Sequence, residues 1–138
     1  MIYQHKTQYY ETDQMGIIHH SNYIRWFEEA RVDFMTQCGF SYQKMEEEGV
    51  ISPVLSVSCE YKSMTHFGDT VVIETLIEKY NGVKLQLAYT VKDAATGEVR
   101  CTGKSSHCFL DRQGNVLSLK KGYGFYHEKF RKAYEERL

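Results

Sequence analysis

Two periods divide the chain. Residues 21–38 carry apolar side chains at helical spacing, and most of residues 51–110 alternate with a period of two. Before the helix, residues 3–9 alternate weakly, with Tyr3, Thr7 and Tyr9 against Gln4, Lys6 and Gln8, which predicts a first strand. A loop follows, Glu11-Thr12-Asp13-Gln14-Met15-Gly16-Ile17-Ile18-His19-His20. Ser21 is the predicted N-cap of the helix, because a serine hydroxyl satisfies a free amide of the first turn. Tyr23, Trp26, Phe27, Ala30, Phe34 and Cys38 trace the helical face, and Gly39 is a suitable stop. Ile24, Val32 and Met35 widen the stripe, so the pattern predicts a helix buried over most of its circumference. A short helix is expected over 42–48, ending at Gly49.

Beyond it, Ile51, Pro53, Leu55, Val57, Cys59 and Tyr61 alternate with Ser52, Val54, Ser56, Ser58, Glu60 and Lys62. Residues 70–79 are β-branched, and Asn81-Gly82 is a hairpin signal. It leads into Val83, Leu85, Leu87, Tyr89 and Val91, each separated by one other residue. Thr96-Gly97 turns the chain into a strand over about 98–110, good to a few positions at each end. A charged C-terminal helix places Tyr123, Tyr126, Phe130 and Tyr134 on one face. The order β-α-α-β-β-β-β-α is α+β, an antiparallel sheet around a long helix. Pattern alone leaves other α+β rolls open, including cone-shaped isomerase-like folds.

The 138 residues fit a single domain, 1–138, with enough chain for one core. A net charge of −1 offers no basic field for nucleic acid or an anionic membrane. The first residues lack the apolar core of a signal peptide, and no apolar run approaches the roughly 18 residues of a membrane span. Cys38, Cys59, Cys101 and Cys108 form no CxxC pair, so reduced thiols in the cytoplasm are the expectation. His19-His20 are neighbours without a spaced partner such as HExxH, so no metal is expected.

Residues 9–35, YYETDQMGIIHHSNYIRWFEEARVDFM, hold the candidate chemistry. Thr12-Asp13, Gly16-Ile17-Ile18, His19-His20-Ser21-Asn22-Tyr23 and Trp26-Phe27-Glu28 closely resemble the signature of the 4-hydroxybenzoyl-CoA/YbgC-like thioesterases of the hotdog superfamily. Gly68-Asp69 is similar to the family's turn before its third strand. The resemblance implies a hotdog fold and an acyl-CoA substrate. It implies that Asp13 attacks the thioester carbonyl or activates water, while the amide of His20, at the helix N-terminus, polarises the carbonyl oxygen. Such an N-terminus offers unpaired N–H groups and a positive dipole end. Gly16, Ile17, His19, Asn22 and Tyr23 stand at the substrate-binding part of the motif. Apart from the motif, Gly16 reads as a turn residue, Asn22 as loop support and Tyr23 as core. His19 replaces a common aromatic and Met15 a smaller residue, which bears on the acyl pocket.

No cofactor is implied, and no GxSxG elbow is present. Relatives of this type pair sheet edge to sheet edge, so a homodimer or homotetramer is expected. Lys62, Lys79, Lys84, Lys104, Lys120 and Lys121 are candidates for the CoA phosphates. Two rivals are weighed. Hotdog hydratases place a histidine five residues after the aspartate, whereas here the separations are six and seven. A non-catalytic acyl-CoA or acyl-carrier binding protein is disfavoured by the retention of Asp13 and Gly16.

Overall fold

Residues 1–137 are described by the computed structural model. Five strands, β1 (Ile2–Lys6), β2 (Val54–Tyr61), β3 (Thr70–Tyr80), β4 (Lys84–Asp93) and β5 (Val99–Cys108), form one antiparallel sheet in the order β1-β3-β4-β5-β2. The central strands alternate as the sequence predicts: Val71, Ile73 and Ile77 of β3 and Leu85, Leu87, Tyr89 and Val91 of β4 are buried. The Asn81 side chain sets the β3–β4 turn by accepting from the amides of Val83 and Lys84.

Helix α1 (Ser21–Cys38) lies on that buried face, with Tyr23, Trp26, Phe27, Ala30, Phe34 and Met35 turned inward. Phe27 stacks on Tyr89, with ring centroids 4.4 Å apart and planes 9° from parallel. Gly103 of β5 permits this approach. A Cβ there would stand 2.5 Å from both the Phe27 ring and the Ser58 carbonyl oxygen. Gly39, at φ +110°, ends the helix as expected. The short α2 (Tyr42–Glu47) is capped by Ser41, and α3 (Gly124–Glu136) packs Tyr126, Phe130 and Ala133 inward.

Three expectations change. The first strand ends at Lys6 because Thr7 turns its hydroxyl to the carbonyls of His66 and Asp69, and residues 9–11 then form a single 3-10 turn. The long helix is buried on one face only. Ile24 and Val32 are each 41% exposed, on a side shared with Arg25, Glu28, Glu29 and Asp33, whose charges interrupt the apolar stripe. β2 begins at Val54 rather than at residue 51, since Pro53 has no N–H to give and Ile51 makes only an isolated bridge to Leu110. Its alternation does not become burial either: every residue of β2 except Cys59 is exposed. It is an edge strand with no neighbour beyond it among the described residues.

Candidate active site

The loop between the 3-10 turn and α1 is a narrow hairpin bonded to the connection between β2 and β3. Thr12 bridges Ile18, and Ile17 bridges His66. The Asp13 N–H donates to the Ile17 carbonyl at 2.8 Å, and the Gly16 N–H returns to the Asp13 carbonyl at 3.2 Å. Gly16 holds φ +78°, a left-handed conformation that costs other residues about 1–2 kcal/mol. Asp13 Oδ1 accepts from the Met15 N–H at 2.7 Å. Its Oδ2 has no protein partner among the described residues.

Three of the four amides from His19 to Asn22 are engaged. The His19 N–H donates to the Glu11 carbonyl, the Ser21 N–H to the His19 imidazole Nδ1 at 3.2 Å, and the Asn22 N–H to the His19 carbonyl. The His20 N–H has no protein acceptor among the described residues. It lies at the positive end of the α1 dipole, where negative charge is stabilised. This arrangement corrects the expected cap. Ser21 is the first helical residue, His20 occupies the cap position with helical angles and no side-chain cap bond, and the His19 ring takes the amide that a serine cap would satisfy.

Asp13, Ile17, His20, Tyr23, Tyr61 and Lys62 line a cleft of about 350 Å³, closed further by Ile18, Ser63 and Met64. The Tyr61 hydroxyl donates to the His20 carbonyl at 3.1 Å, and its ring meets Tyr23 edge-on at 5.3 Å. Loss of water around that hydroxyl, with the adjoining Cys59 thiol, pushes the Tyr61 phenol up to about 12, so it donates as a neutral group. Burial likewise raises the Tyr23 phenol, which donates to Thr65 Oγ1 at 3.0 Å.

Four of the seven residues singled out from the sequence therefore meet in the cleft: Asp13, Ile17, His20 and Tyr23. Gly16 shapes the turn, His19 holds the helix start, and Asn22 is buried with its amide 2.9 Å from the Glu11 carbonyl. Tyr61, Ser63 and Met64 were missed, and no local signal at the end of β2 or in the residues after it names them. Of the lysines, Lys62 stands in the cleft and pairs with Glu60 at 3.0 Å, and Lys104 pairs with Glu78 at 2.9 Å. Lys79 and Lys84 line a second cleft, about 400 Å³, at the other end of β2 with Leu55, His107 and Tyr134.

The family model for the thioesterase-like superfamily matches residues 7–133, the site loop and the whole sheet beyond β1 included. The chain belongs to that superfamily. A Bacillus subtilis relative named "Putative acyl-CoA thioesterase YneP" is 38% identical over 129 residues, 93% of each chain. The Escherichia coli O157:H7 acyl-CoA thioester hydrolase YbgC is 27% identical over 89 residues, 64% of this chain and 66% of its own. The crystal structure of a DHNA-CoA thioesterase from Staphylococcus aureus superposes with a TM-score of 0.90 at 33% identity, covering 95% of this chain and 88% of that one. Family and superposition together establish the hotdog fold, and the chain is a thioester hydrolase of the acyl-CoA type. Among the described residues, no group of three or more His, Cys, Asp or Glu is placed to hold a metal ion, and no helix is long and apolar enough to cross a membrane.

Proposed function

We propose that residues 1–138 act as one thioesterase domain that hydrolyses an acyl-CoA through Asp13. The reading rests on one juxtaposition. A carboxylate with one oxygen pinned and the other without a partner among the described residues shares a cleft with His20, whose amide at the α1 N-terminus has no acceptor among them. The thioester carbonyl oxygen receives the His20 N–H as negative charge develops on it. Asp13 either attacks the carbonyl carbon, forming an acyl-aspartyl anhydride that water then hydrolyses to the free acid, or takes a proton from the water that attacks in its place. By either route the C–S bond breaks and CoA leaves as thiolate, a good leaving group because a thiol pKa is about 8.5. Tyr61 supports the donor by holding the His20 carbonyl.

An aromatic acyl group is the first class to assay. The rings of Tyr23, Tyr61 and His20 in the cleft favour a flat substrate, and the 33%-identical S. aureus structure carries the name of a DHNA-CoA thioesterase. Lys62, whose exposed ammonium is paired with Glu60 at 3.0 Å, is the cation of the cleft and would exchange that partner for a CoA phosphate. Pairing through the open edge of β2 gives a homodimer, the unit from which a homotetramer would be built. The test is Asp13→Asn, which keeps the side chain's shape but can neither attack nor accept a proton. Thiol release falls by at least about 10²-fold while substrate still binds. Turnover within a few-fold of the parent would make Asp13 a turn residue only.

A further inference from the structure

Two residues before Asp13, outside the cleft, lies a buried carboxylate. Glu11 is 4% exposed, and its oxygens are taken up on three sides. Oε1 accepts from the Gln8 N–H at 2.7 Å and is 2.9 Å from His5 Nε2, while Oε2 accepts from the Trp26 indole N–H at 2.7 Å. The main-chain carbonyl of the same residue accepts from the His19 N–H at 2.8 Å and from the Asn22 amide at 2.9 Å. One residue thus joins β1, the 3-10 turn, the first turns of α1 and the segment entering α1. His5 continues the chain outward: its Nδ1 is 3.0 Å from Glu29 Oε2, which also accepts from the Tyr3 hydroxyl at 3.1 Å. The His5 ring lies 4.9 Å from that of Trp26.

Burying a carboxylate is costly unless several donors compensate it. Burial alone would push the Glu11 carboxyl up, but the bonds from His5, Trp26 and Gln8 outweigh it and hold the group below the usual glutamate value. An apolar residue would fill the same space with no desolvation cost. What an apolar residue lacks is direction. The bonds from Trp26, Gln8 and His5 fix the start of the site loop, and the main-chain bonds to His19 and Asn22 fix its end.

We propose that Glu11 is a positioning residue for the hydrolysis, an inference that rests on the reading of Asp13 and His20 given above. Its carboxylate anchors the segment 11–19 to Trp26 and β1, and so sets the separation between Asp13 and the His20 amide. A displacement of about 1 Å in such a site costs on the order of 10²-fold in rate. Ile73, Leu87 and Phe34, buried in the core between sheet and helix, make no hydrogen bond to this carboxylate.

Glu11→Gln is the test. The amide has one acceptor oxygen where the carboxylate has two, so a buried donor, on Trp26 or on Gln8, loses its partner. Expected is a kcat lower by about 10- to 100-fold with KM within about threefold, because the cleft walls stay in place. In an Asp13→Asn background the same substitution adds little further loss, as two residues acting through one another are not additive. Amide exchange rises across residues 11–20 while β3, β4 and β5 keep their protection. A parental kcat in Glu11→Gln overturns the proposal, as does an equal loss factor in both backgrounds or faster exchange throughout the sheet. The two readings fail separately. Asp13→Asn working at the parental rate removes the hydrolysis mechanism, whereas an inactive Asp13→Asn beside an unaffected Glu11→Gln removes only the role of Glu11.

Discussion

Replacing Gly103 with alanine tests how closely α1 rests on the sheet. The added Cβ meets the Phe27 ring and the Ser58 carbonyl oxygen, both at 2.5 Å, a separation no unstrained carbon tolerates. The ring cannot simply swing away, because one of its faces is stacked on Tyr89 at 4.4 Å. The carbonyl belongs to β2, which is paired with β5 at Ser58↔Lys104 and Cys59↔Gly103. Either the helix lifts or the edge strand shifts. Overpacking of a core costs about 1–3 kcal/mol, and with two obstructed directions, one of them backbone, the upper end applies. A loss of about 3 kcal/mol is more than a hundredfold in the folding equilibrium. Urea unfolding reads it through the emission of Trp26, the single tryptophan of the chain. With a slope of about 1.5–2 kcal/mol per molar, the midpoint drops by about 1.5–2 M at fixed protein concentration. A midpoint within about 0.2 M of the parent would mean that helix and sheet are held by looser packing than these distances describe.

Three further outcomes are expected. His20→Ala keeps the main-chain N–H and costs less than about tenfold in turnover, whereas His20→Pro deletes the donor and costs about 10²–10³-fold; the order is read by thiol release after circular dichroism confirms folding, and abolition by alanine alone would make the imidazole the acid or base. Burial, then the nearby Arg31 charge, lowers His107 to about 4 against the opposing pull of the Pro53 carbonyl. Its folded value lies below its unfolded value of about 6.5, so its contribution is complete above pH 6.5 and lost as pH falls toward 4, about 3 kcal/mol in order of magnitude. Urea midpoints against pH should show that acid limb, and a His107→Gln variant should flatten it; identical slopes would refute the assignment. Sedimentation at micromolar concentration should give a dimer or tetramer, and a fully active monomer would end the proposal of pairing through β2.

The contiguous part of the site was legible in the sequence. Asp13, Ile17, His20 and Tyr23 fall within one motif, and local bonds from Asp13 to Met15 and Ile17 fix their arrangement. The helix was legible too, because its stripe and the Gly39 stop are local signals. Tyr61 and Met64 were not, since strand pairing brings the end of β2 and the residues just after it to the loop, and a period of two does not say which strand end closes over which loop. Neither was the capping role of His19, where an imidazole replaces the usual hydroxyl. The apolar alternation of β2 reads the same whether the strand is covered by its own chain or by another, so its exposure could not be foreseen. Glu11 passed unnoticed for a similar reason: a lone glutamate in a loop looks solvated until Trp26, fifteen residues on, is seen to donate to it.

The open strand β2 carries one further consequence. The Asp13 cleft lies beside Tyr61, and the Lys79–Lys84 cleft lies beside Leu55, so the two sit at opposite ends of an eight-residue strand about 23 Å long. If two copies pair through this edge, as proposed, and do so antiparallel about a two-fold axis near the middle of the strand, the axis exchanges its ends. Each cleft containing an Asp13 then faces the lysine-lined cleft of the other molecule, although within one molecule the two never meet. A long, bent, polyanionic substrate could then span both, its reacting end in one chain and its charged end against the other. The catalytic unit would be the pair, and the measured rate per chain would fall with dilution, turning an enzyme assay into a binding isotherm for self-association.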